Sequence, residues 1–224
     1  MSATRPRILD PHAVPVIGTD AHLAAVDPLR LTPLALRERF GTVGEWQPEI
    51  VGDTDLAGRH LHQASVLVPL VQRPEGLQVL LTQRTDHLRD HAGQISFPGG
   101  RIESTDPGPW EAALREAEEE IGLPPDHVTH AGWLGDHIVV SGYVVTPAVG
   151  FVRPGFELAL DRTEVESVFE VPLDYALDAS NYVARERTFA GRTFRGHDLP
   201  YQGRNIWGAT AVMLGSLRRA LGFE

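Results

Sequence analysis

The chain has 224 residues, no cysteine and a formal net charge of −10 at pH 7, from 30 acidic and 20 basic residues. The lack of cysteine excludes disulfides, thiolate metal sites and a thiol nucleophile. The acidic balance argues against non-specific nucleic-acid binding, which depends on lysine and arginine neutralising phosphates. No apolar run approaches the roughly 18 residues of a membrane helix, and no apolar stretch follows the N-terminal arginines. We therefore expect a soluble cytoplasmic protein that has no membrane partner.

The predicted elements begin after an N-terminal arm. Residues 1–30 show no strong period and are expected to be irregular, ahead of one domain over residues 31–224. Residues 31–40 predict a short helix, with Thr32 as N-cap and Pro33 in its first turn. A loop follows over 41–58. Strands are predicted at 65–71, 77–83, 129–134, 144–152 and 167–171. The remaining predictions are a short helix at 173–177, a hairpin at 188–194 and a packing helix at 206–221.

The most informative helix is predicted between Pro107 and Gly122. Its apolar positions recur at steps of three and four and form one buried stripe, namely Trp110, Ala113, Leu114, Ala117 and Ile121. Pro107 and Pro109 suit the start of a helix, and Gly122 suits a left-handed cap at its end. The spacing therefore predicts a helix that ends at Gly122.

Glutamates crowd the C-terminal end of this helix. Glu116, Glu119 and Glu120 fall in one sector beside the apolar stripe, whereas Glu118 points elsewhere. The helix dipole disfavours negative charge at this end by roughly 0.3–1 kcal/mol per charge. The alternative without a functional role is a solvated acidic face of the helix. A convergent set of carboxylates instead suits a hard divalent cation, Mg²⁺ or Mn²⁺.

Residues 100–123 resemble the Nudix box, G-x5-E-x7-R-E-U-x-E-E-x-G-U, in which U is aliphatic. The matching residues are Gly100, Arg115, Glu116, Ala117, Glu119, Glu120, Gly122 and Leu123. Two departures stand out: Asp106 replaces the first glutamate, and eight residues rather than seven separate it from Arg115. Both departures resemble the coenzyme A pyrophosphatase subgroup of the Nudix family.

The sequence upstream of the box resembles the same subgroup. Residues 80–100 read L-L-T-Q-R-T-D-H-L-R-D-H-A-G-Q-I-S-F-P-G-G, and only Thr85 departs from the subgroup's signature. The resemblance continues at 141–147, 164–173 and 206–211. It implies an α/β/α sandwich with a mixed sheet in a single domain, an expectation that the order of the elements also favours.

The resemblance implies metal-dependent hydrolysis of the diphosphate bond of coenzyme A or an acyl derivative, giving phosphopantetheine and adenosine 3′,5′-bisphosphate. A homodimer is also implied. Two alternatives stay open: a Nudix pyrophosphatase for another nucleoside diphosphate such as ADP-ribose, and a non-catalytic Nudix-like sensor of nucleotides.

The resemblance also implies roles for individual residues. The metal ligands would be the Gly100 carbonyl and three glutamates, Glu116, Glu119 and Glu120. Arg115 would orient one of these acids, the alternative being a surface pair toward Glu111. The general base would be Glu116, Glu119 or an acid outside the box. Glu164 is the candidate outside the box, the alternative being an ordinary loop glutamate before a strand.

Substrate contacts are expected from the upstream segment. Arginine forks match phosphates, so Arg84 and Arg89 are candidates, the alternative being that one of them only pairs with Asp86 or Asp90. His91 either donates to a phosphate or is structural. Two further residues, Gln94 and Phe97, are expected to shape the entrance. The tryptophans at 110, 133 and 207 are expected in the core rather than against an adenine.

Overall fold

The computed structural model describes residues 14–23, 25–42, 49–51, 61–88, 91–139, 141–189 and 192–223. The helices are α1 (Pro33–Phe40), α2 (Pro109–Ile121), α3 (Leu173–Leu177) and α4 (Ala209–Ala220), with 3₁₀ turns at Pro28–Arg30, Pro125–His127 and Ala179–Asn181. The first strands are β1 (Val16–Thr19), β2 (Glu49–Val51), β3 (His62–Arg73), β4 (Gly76–Arg84), β5 (Ile95–Ser96) and β6 (Gly99–Arg101). The later strands are β7 (Val128–Trp133), β8 (His137–Val139), β9 (Tyr143–Val152), β10 (Val165–Pro172), β11 (Val183–Phe189), β12 (Arg192–Tyr201) and β13 (Arg204–Ile206).

The main sheet is mixed. Its order is β10-β4-β3-β9-β8-β2, with β5 beside β4, β6 beside β3 and β7 beside β9. Strands β3 and β9 are parallel, as are β2 and β8, while the other pairs are antiparallel. A second, antiparallel sheet has the order β1-β11-β12-β13.

The two faces of the main sheet carry separate apolar cores. Because side chains alternate along a strand, Leu67 and Val71 of β3 pack with Ala113 and Ile121 of α2. Their neighbours face the other way, and Leu70 joins a larger core that includes residues of α1, α3 and α4. Helices thus cover both faces, which confirms the predicted α/β/α sandwich with a mixed sheet.

Several predicted elements are confirmed. Helix α1 begins where expected, and the Thr32 hydroxyl accepts a hydrogen bond from the Ala35 N–H at 3.2 Å. The predicted strands at 65–71 and 77–83 lie within β3 and β4, and the short helix at 173–177 is α3. Strands β11 and β12 pair as the expected hairpin. In the described part of the chain, no helix is long and apolar enough to cross a membrane.

Four predictions are wrong. The arm is not irregular throughout, because β1 lies within it and pairs with β11, and the predicted loop at 41–58 contains β2, which pairs with β8. The last helix begins at Ala209 rather than at 206, since Ile206 pairs with Leu199 in the sheet and Gly208 (φ 64°) separates strand from helix. Trp133 is 36% exposed, so it is not a core residue.

Candidate active site

Helix α2 places the acidic residues at one edge of the sheet. It begins at Pro109 and ends at Gly122, which adopts the predicted left-handed conformation (φ 68°) and donates its N–H to the Glu118 carbonyl at 2.8 Å. The apolar stripe of α2 packs on the sheet, and this fixes the rotation of the helix about its axis. Consequently Glu120 is buried, Glu116 is half-buried, and Glu118 is exposed as predicted.

Glu120 is the most deeply buried of these acids, at 6% exposed. One of its oxygens accepts a hydrogen bond from the Gly99 N–H at 3.2 Å, and the other lies 3.5 Å from Nη1 of Arg84. Burial raises the pKa of Glu120 to about 7, against the opposing effects of the Gly99 N–H and Arg84. The charges of Glu116 and Glu164 raise this pKa further. A cation at this position would relieve the repulsion.

Glu116 lies directly over a glycine. A Cβ atom placed on Gly100 would lie 2.6 Å from both carboxylate oxygens of Glu116. The preceding Gly99 has φ 150°, and a Cβ there would lie 2.4 Å from the Ser65 carbonyl oxygen of β3. Both glycines are therefore needed for β6 to pass between β3 and α2. Burial raises the pKa of Glu116, while Arg115 acts in the opposite direction.

Arg115 contacts three acidic side chains at this site. Its Nε and Nη2 donate to the two oxygens of Asp106 at 2.9 and 3.0 Å. Its Nη1 lies 3.1 Å from Glu116 and 3.0 Å from Glu119, and Nη2 also donates to the Arg101 carbonyl at 3.1 Å. The guanidinium of Arg115 lowers the pKa of Asp106, with help from a hydrogen bond that Asp106 accepts from a backbone N–H.

The alternative in which Arg115 forms a surface pair toward Glu111 is therefore wrong. The long side chain turns back toward the loop that carries Asp106, because a buried carboxylate on that loop offers two acceptors. The sequence singles out Asp106 as a departure from the box, but the pattern alone does not show which residue Asp106 binds.

Glu164, which lies outside the Nudix box, is close to Arg84, as Glu120 is. Strand β10 begins beside the end of β4, and the Glu164 carbonyl accepts a hydrogen bond from the Thr85 N–H at 2.9 Å. Its side chain, 47% exposed, lies 3.5 Å from Nη2 of Arg84. Arg84 thus stands between Glu120 and Glu164, so the alternative in which Arg84 only pairs with Asp86 or Asp90 is wrong.

The other candidate substrate residues have different surroundings. His91 is exposed, has φ 58°, and its Nδ1 lies 2.9 Å from the Oε1 of Gln94, which is half-buried. Phe97 is 3% exposed and packs in the larger core, so its predicted place at the entrance is wrong. Arg89 lies outside the described residues.

The acids fit a hard divalent cation by their chemistry. Burial raises the pKa values of Glu116 and Glu120, and the nearby charge of Glu164 raises both further. Within the described ranges, no three acidic or histidine side chains already stand in a metal-holding arrangement. Arg84 and Arg115 contact these carboxylates instead, and Glu119, with its side chain 61% exposed, contacts Arg115. A set of oxygen donors that repel one another, with Glu120 buried among them, is suited to Mg²⁺ or Mn²⁺.

Comparison with known proteins identifies the family of the chain. The NUDIX domain family model matches residues 61–190. The chain therefore belongs to the Nudix hydrolase family. It is 40% identical over 200 residues to the uncharacterized Nudix hydrolase NudL of Salmonella heidelberg, covering 89% of this chain and 100% of that protein. It is 44% identical over 163 residues to NudL of Escherichia coli K12, covering 72% and 84%. A crystal structure of RenU, a Nudix hydrolase from M. smegmatis, superposes with a TM-score of 0.44 at 24% identity, covering 53% and 75%.

Proposed function

We propose that this Nudix hydrolase cleaves the diphosphate bond of coenzyme A or an acyl derivative in the presence of a divalent cation. The products are phosphopantetheine, free or acylated, and adenosine 3′,5′-bisphosphate. One observation carries the proposal. Arg84, which belongs to the segment resembling the coenzyme A signature, lies 3.5 Å from both Glu120 of the box and Glu164. The segment that suggests the substrate therefore adjoins the acids that suggest the reaction.

The acids of α2 account for the metal requirement. Glu116, Glu119 and Glu120, with the backbone carbonyl of Gly100, would hold Mg²⁺ or Mn²⁺. When bound, the ion neutralises phosphate charge and lowers the pKa of the attacking water. Arg115 keeps Glu116 and Glu119 near each other through its contacts at 3.1 and 3.0 Å. Its own position is set by Asp106.

In the reaction, a water oxygen forms a bond to phosphorus while the bridging P–O bond breaks. The water proton passes to a carboxylate, and the leaving phosphate departs as an anion. Glu164 is the preferred base among Glu116, Glu119 and Glu164, because it is half-exposed and lies outside the metal-binding helix. Arg84, beside it, is placed to pair with a phosphate oxygen.

The test is product analysis by chromatography. The protein is incubated with coenzyme A, ADP-ribose or a dinucleotide, each with Mg²⁺, with Mn²⁺ or with chelator. We expect metal-dependent release of adenosine 3′,5′-bisphosphate from coenzyme A. Cleavage of ADP-ribose but not coenzyme A would overturn the substrate, and no cleavage at all would favour a nucleotide sensor.

Metal binding is tested separately by thermal unfolding. A cation that binds only the folded state raises the melting temperature by mass action. We expect Mg²⁺ or Mn²⁺ to raise it in the native protein and to raise it less when Glu120 is replaced by Gln. An equal rise in both proteins would place the ion elsewhere.

A further inference from the structure

The loop between β9 and β10, residues 153–164, is attached to the last turn of α2. Ala159 donates its N–H to the Ile121 carbonyl at 3.0 Å, and Asp161 donates its N–H to the Glu120 carbonyl at 2.9 Å. The last carbonyls of a helix lack partners within the helix, so the loop supplies two of the missing donors. The loop is therefore fixed to the end of α2 that carries the candidate metal ligands.

Asp161 also organises the turn that ends this loop. Its carbonyl accepts hydrogen bonds from the N–H groups of Glu164 and Val165 at 3.0 and 2.8 Å. Its side-chain Oδ1 accepts two more, from the Thr163 N–H at 2.8 Å and the Thr163 hydroxyl at 2.7 Å. An aspartate that binds the backbone two residues further on stabilises a turn. The hydrogen bonds from Thr163 lower the pKa of Asp161, which favours its charged form.

The other side of the same turn is fixed to the end of β4. The Thr85 N–H donates to the Glu164 carbonyl at 2.9 Å, and the Thr85 hydroxyl donates to the Thr163 carbonyl at 3.3 Å. The backbone of Glu164 is thus held between Asp161, which is bound to α2, and Thr85, which follows β4. The Glu164 side chain consequently lies 3.5 Å from Nη2 of Arg84.

The Asp161 side chain lies outside both apolar cores. It is exposed, and its carboxylate binds the neighbouring Thr163. Replacing an exposed side chain of this kind removes no buried apolar group, so the global stability of the protein should change little. The contacts of the Asp161 carboxylate are local to the turn, and what the turn presents to the candidate active site is Glu164.

We propose that Asp161 is a positioning residue, which holds Glu164 in place for the reaction and joins the turn of Glu164 to Glu120 of α2. The inference rests on the proposed function and deepens it, because it assigns the residue through which the preferred base is kept in register with the metal-binding helix. Such a residue matters because a displacement of a catalytic group by about 1 Å can lower a rate about 100-fold.

The test is a double-mutant cycle, measured as turnover of the diphosphate substrate that the protein cleaves. We expect Asp161→Ala to lower kcat about 10- to 100-fold with KM little changed, because a base acts in the transition state. Asp161→Asn should stay within about threefold of the native protein, since asparagine forms the same turn. Glu157→Ala is the control, because Glu157 is an exposed acid of the same loop, and it should keep full activity.

The second arm of the cycle is Glu164→Gln. If Asp161 acts through Glu164, adding Asp161→Ala to Glu164→Gln should cause no further loss. Thr163→Val removes only the hydroxyl donor, so it should cause a smaller loss that is also absent beside Glu164→Gln. Multiplied losses in the double variants would overturn the positioning role, and so would equal losses in Asp161→Ala and Asp161→Asn. If Asp161→Ala does not fold, the Thr163→Val pair decides the question.

Amide hydrogen exchange followed by NMR separates this inference from the proposed function, because it needs no turnover. We expect the N–H groups of Glu164 and Val165 to exchange faster in Asp161→Ala than in the native protein or Asp161→Asn, at an unchanged melting temperature. Unchanged exchange would overturn the positioning role even if coenzyme A is hydrolysed. If no diphosphate is cleaved but exchange rises, the proposed reaction fails while Asp161 still positions Glu164. Full activity in Glu164→Gln would overturn the base assignment and this role together, but not the hydrolysis.

Discussion

Asp106 binds Arg115 through two parallel hydrogen bonds, at 2.9 Å to Nε and 3.0 Å to Nη2. The same arginine contacts Glu116 and Glu119, so Asp106 positions the acids without touching them. Asp106 is one carbon shorter than the glutamate of the box and is one residue further from the arginine in sequence, yet it reaches Arg115 with both carboxylate oxygens. This relationship explains how two departures from the box leave the acids of α2 anchored.

Replacing Asp106 by Asn should lower turnover about 10- to 100-fold, the usual effect of removing a supporting partner from a metal site. The neutral amide can accept only one of the two hydrogen bonds, so Arg115 is freer to move. Steady-state rates at saturating metal measure the effect. The control is Glu111→Gln, because Glu111 is an exposed acid in the first turn of α2. A turnover in Asp106→Asn equal to that of the control would contradict the positioning role.

Replacing Glu119 or Glu120 by Gln should lower turnover at least about 100-fold, because each substitution removes a charged oxygen ligand from the proposed metal site. Glu118→Gln is the matched control, since Glu118 directly precedes them in α2 and is exposed. All three variants should remain folded by circular dichroism. Full activity in both Glu119→Gln and Glu120→Gln would refute the metal assignment.

Glu120 should also make stability depend on pH in the presence of chelator. Its pKa is about 7 in the folded protein and roughly 4.3 for an unperturbed glutamate. The folded state therefore holds more protons between these values, so stability is highest below about pH 4.3 and falls as the pH rises to about 7. Relative to native protein, Glu120→Gln should gain on the order of 1–3 kcal/mol at pH 8 and nothing at pH 4. Urea unfolding at both pH values measures this, and a gap that does not change with pH would show that the Glu120 pKa is not raised.

The sequence predicts local features of this protein well. The apolar spacing and the flanking Pro109 and Gly122 are properties of neighbouring residues, and they locate α2 and its acids. Helix α1 and the β11–β12 hairpin follow from equally local signals. Strands β1 and β2 were missed because each is short and is stabilised by a partner distant in sequence, β11 and β8 respectively.

The contacts within the site show the same division. The pattern places Glu116, Glu119 and Glu120 on one side of a helix. It does not show that Arg84 reaches Glu120 and Glu164, because that contact depends on the pairing of β4 with β10. Phe97 was misplaced for a related reason, since the direction of its side chain depends on how the loop after β5 packs against the larger core. The contacts of Arg84 and the position of Phe97 thus depend on long-range packing, which a local sequence pattern does not specify.

Substitution of the adjacent glycines Gly99 and Gly100 should affect stability and activity separately. In Gly100→Ala the three atoms nearest to the new methyl group all belong to the Glu116 carboxylate, at 2.6 Å, and that flexible side chain can move away. We expect little change in melting temperature but a loss of turnover of at least about tenfold, because Glu116 is displaced from the metal site.

In Gly99→Ala the methyl group meets the backbone of β3, 2.4 Å from the Ser65 oxygen and 2.6 Å from the Val66 Cα. That variant should lose stability, since backbone in a paired strand cannot yield and φ is 150°. Gly215→Ala in α4 is the control, because its nearest contact is an ordinary 3.6 Å and alanine favours a helix. Thermal unfolding and turnover of the three variants check the prediction, which fails if Gly100→Ala keeps full activity.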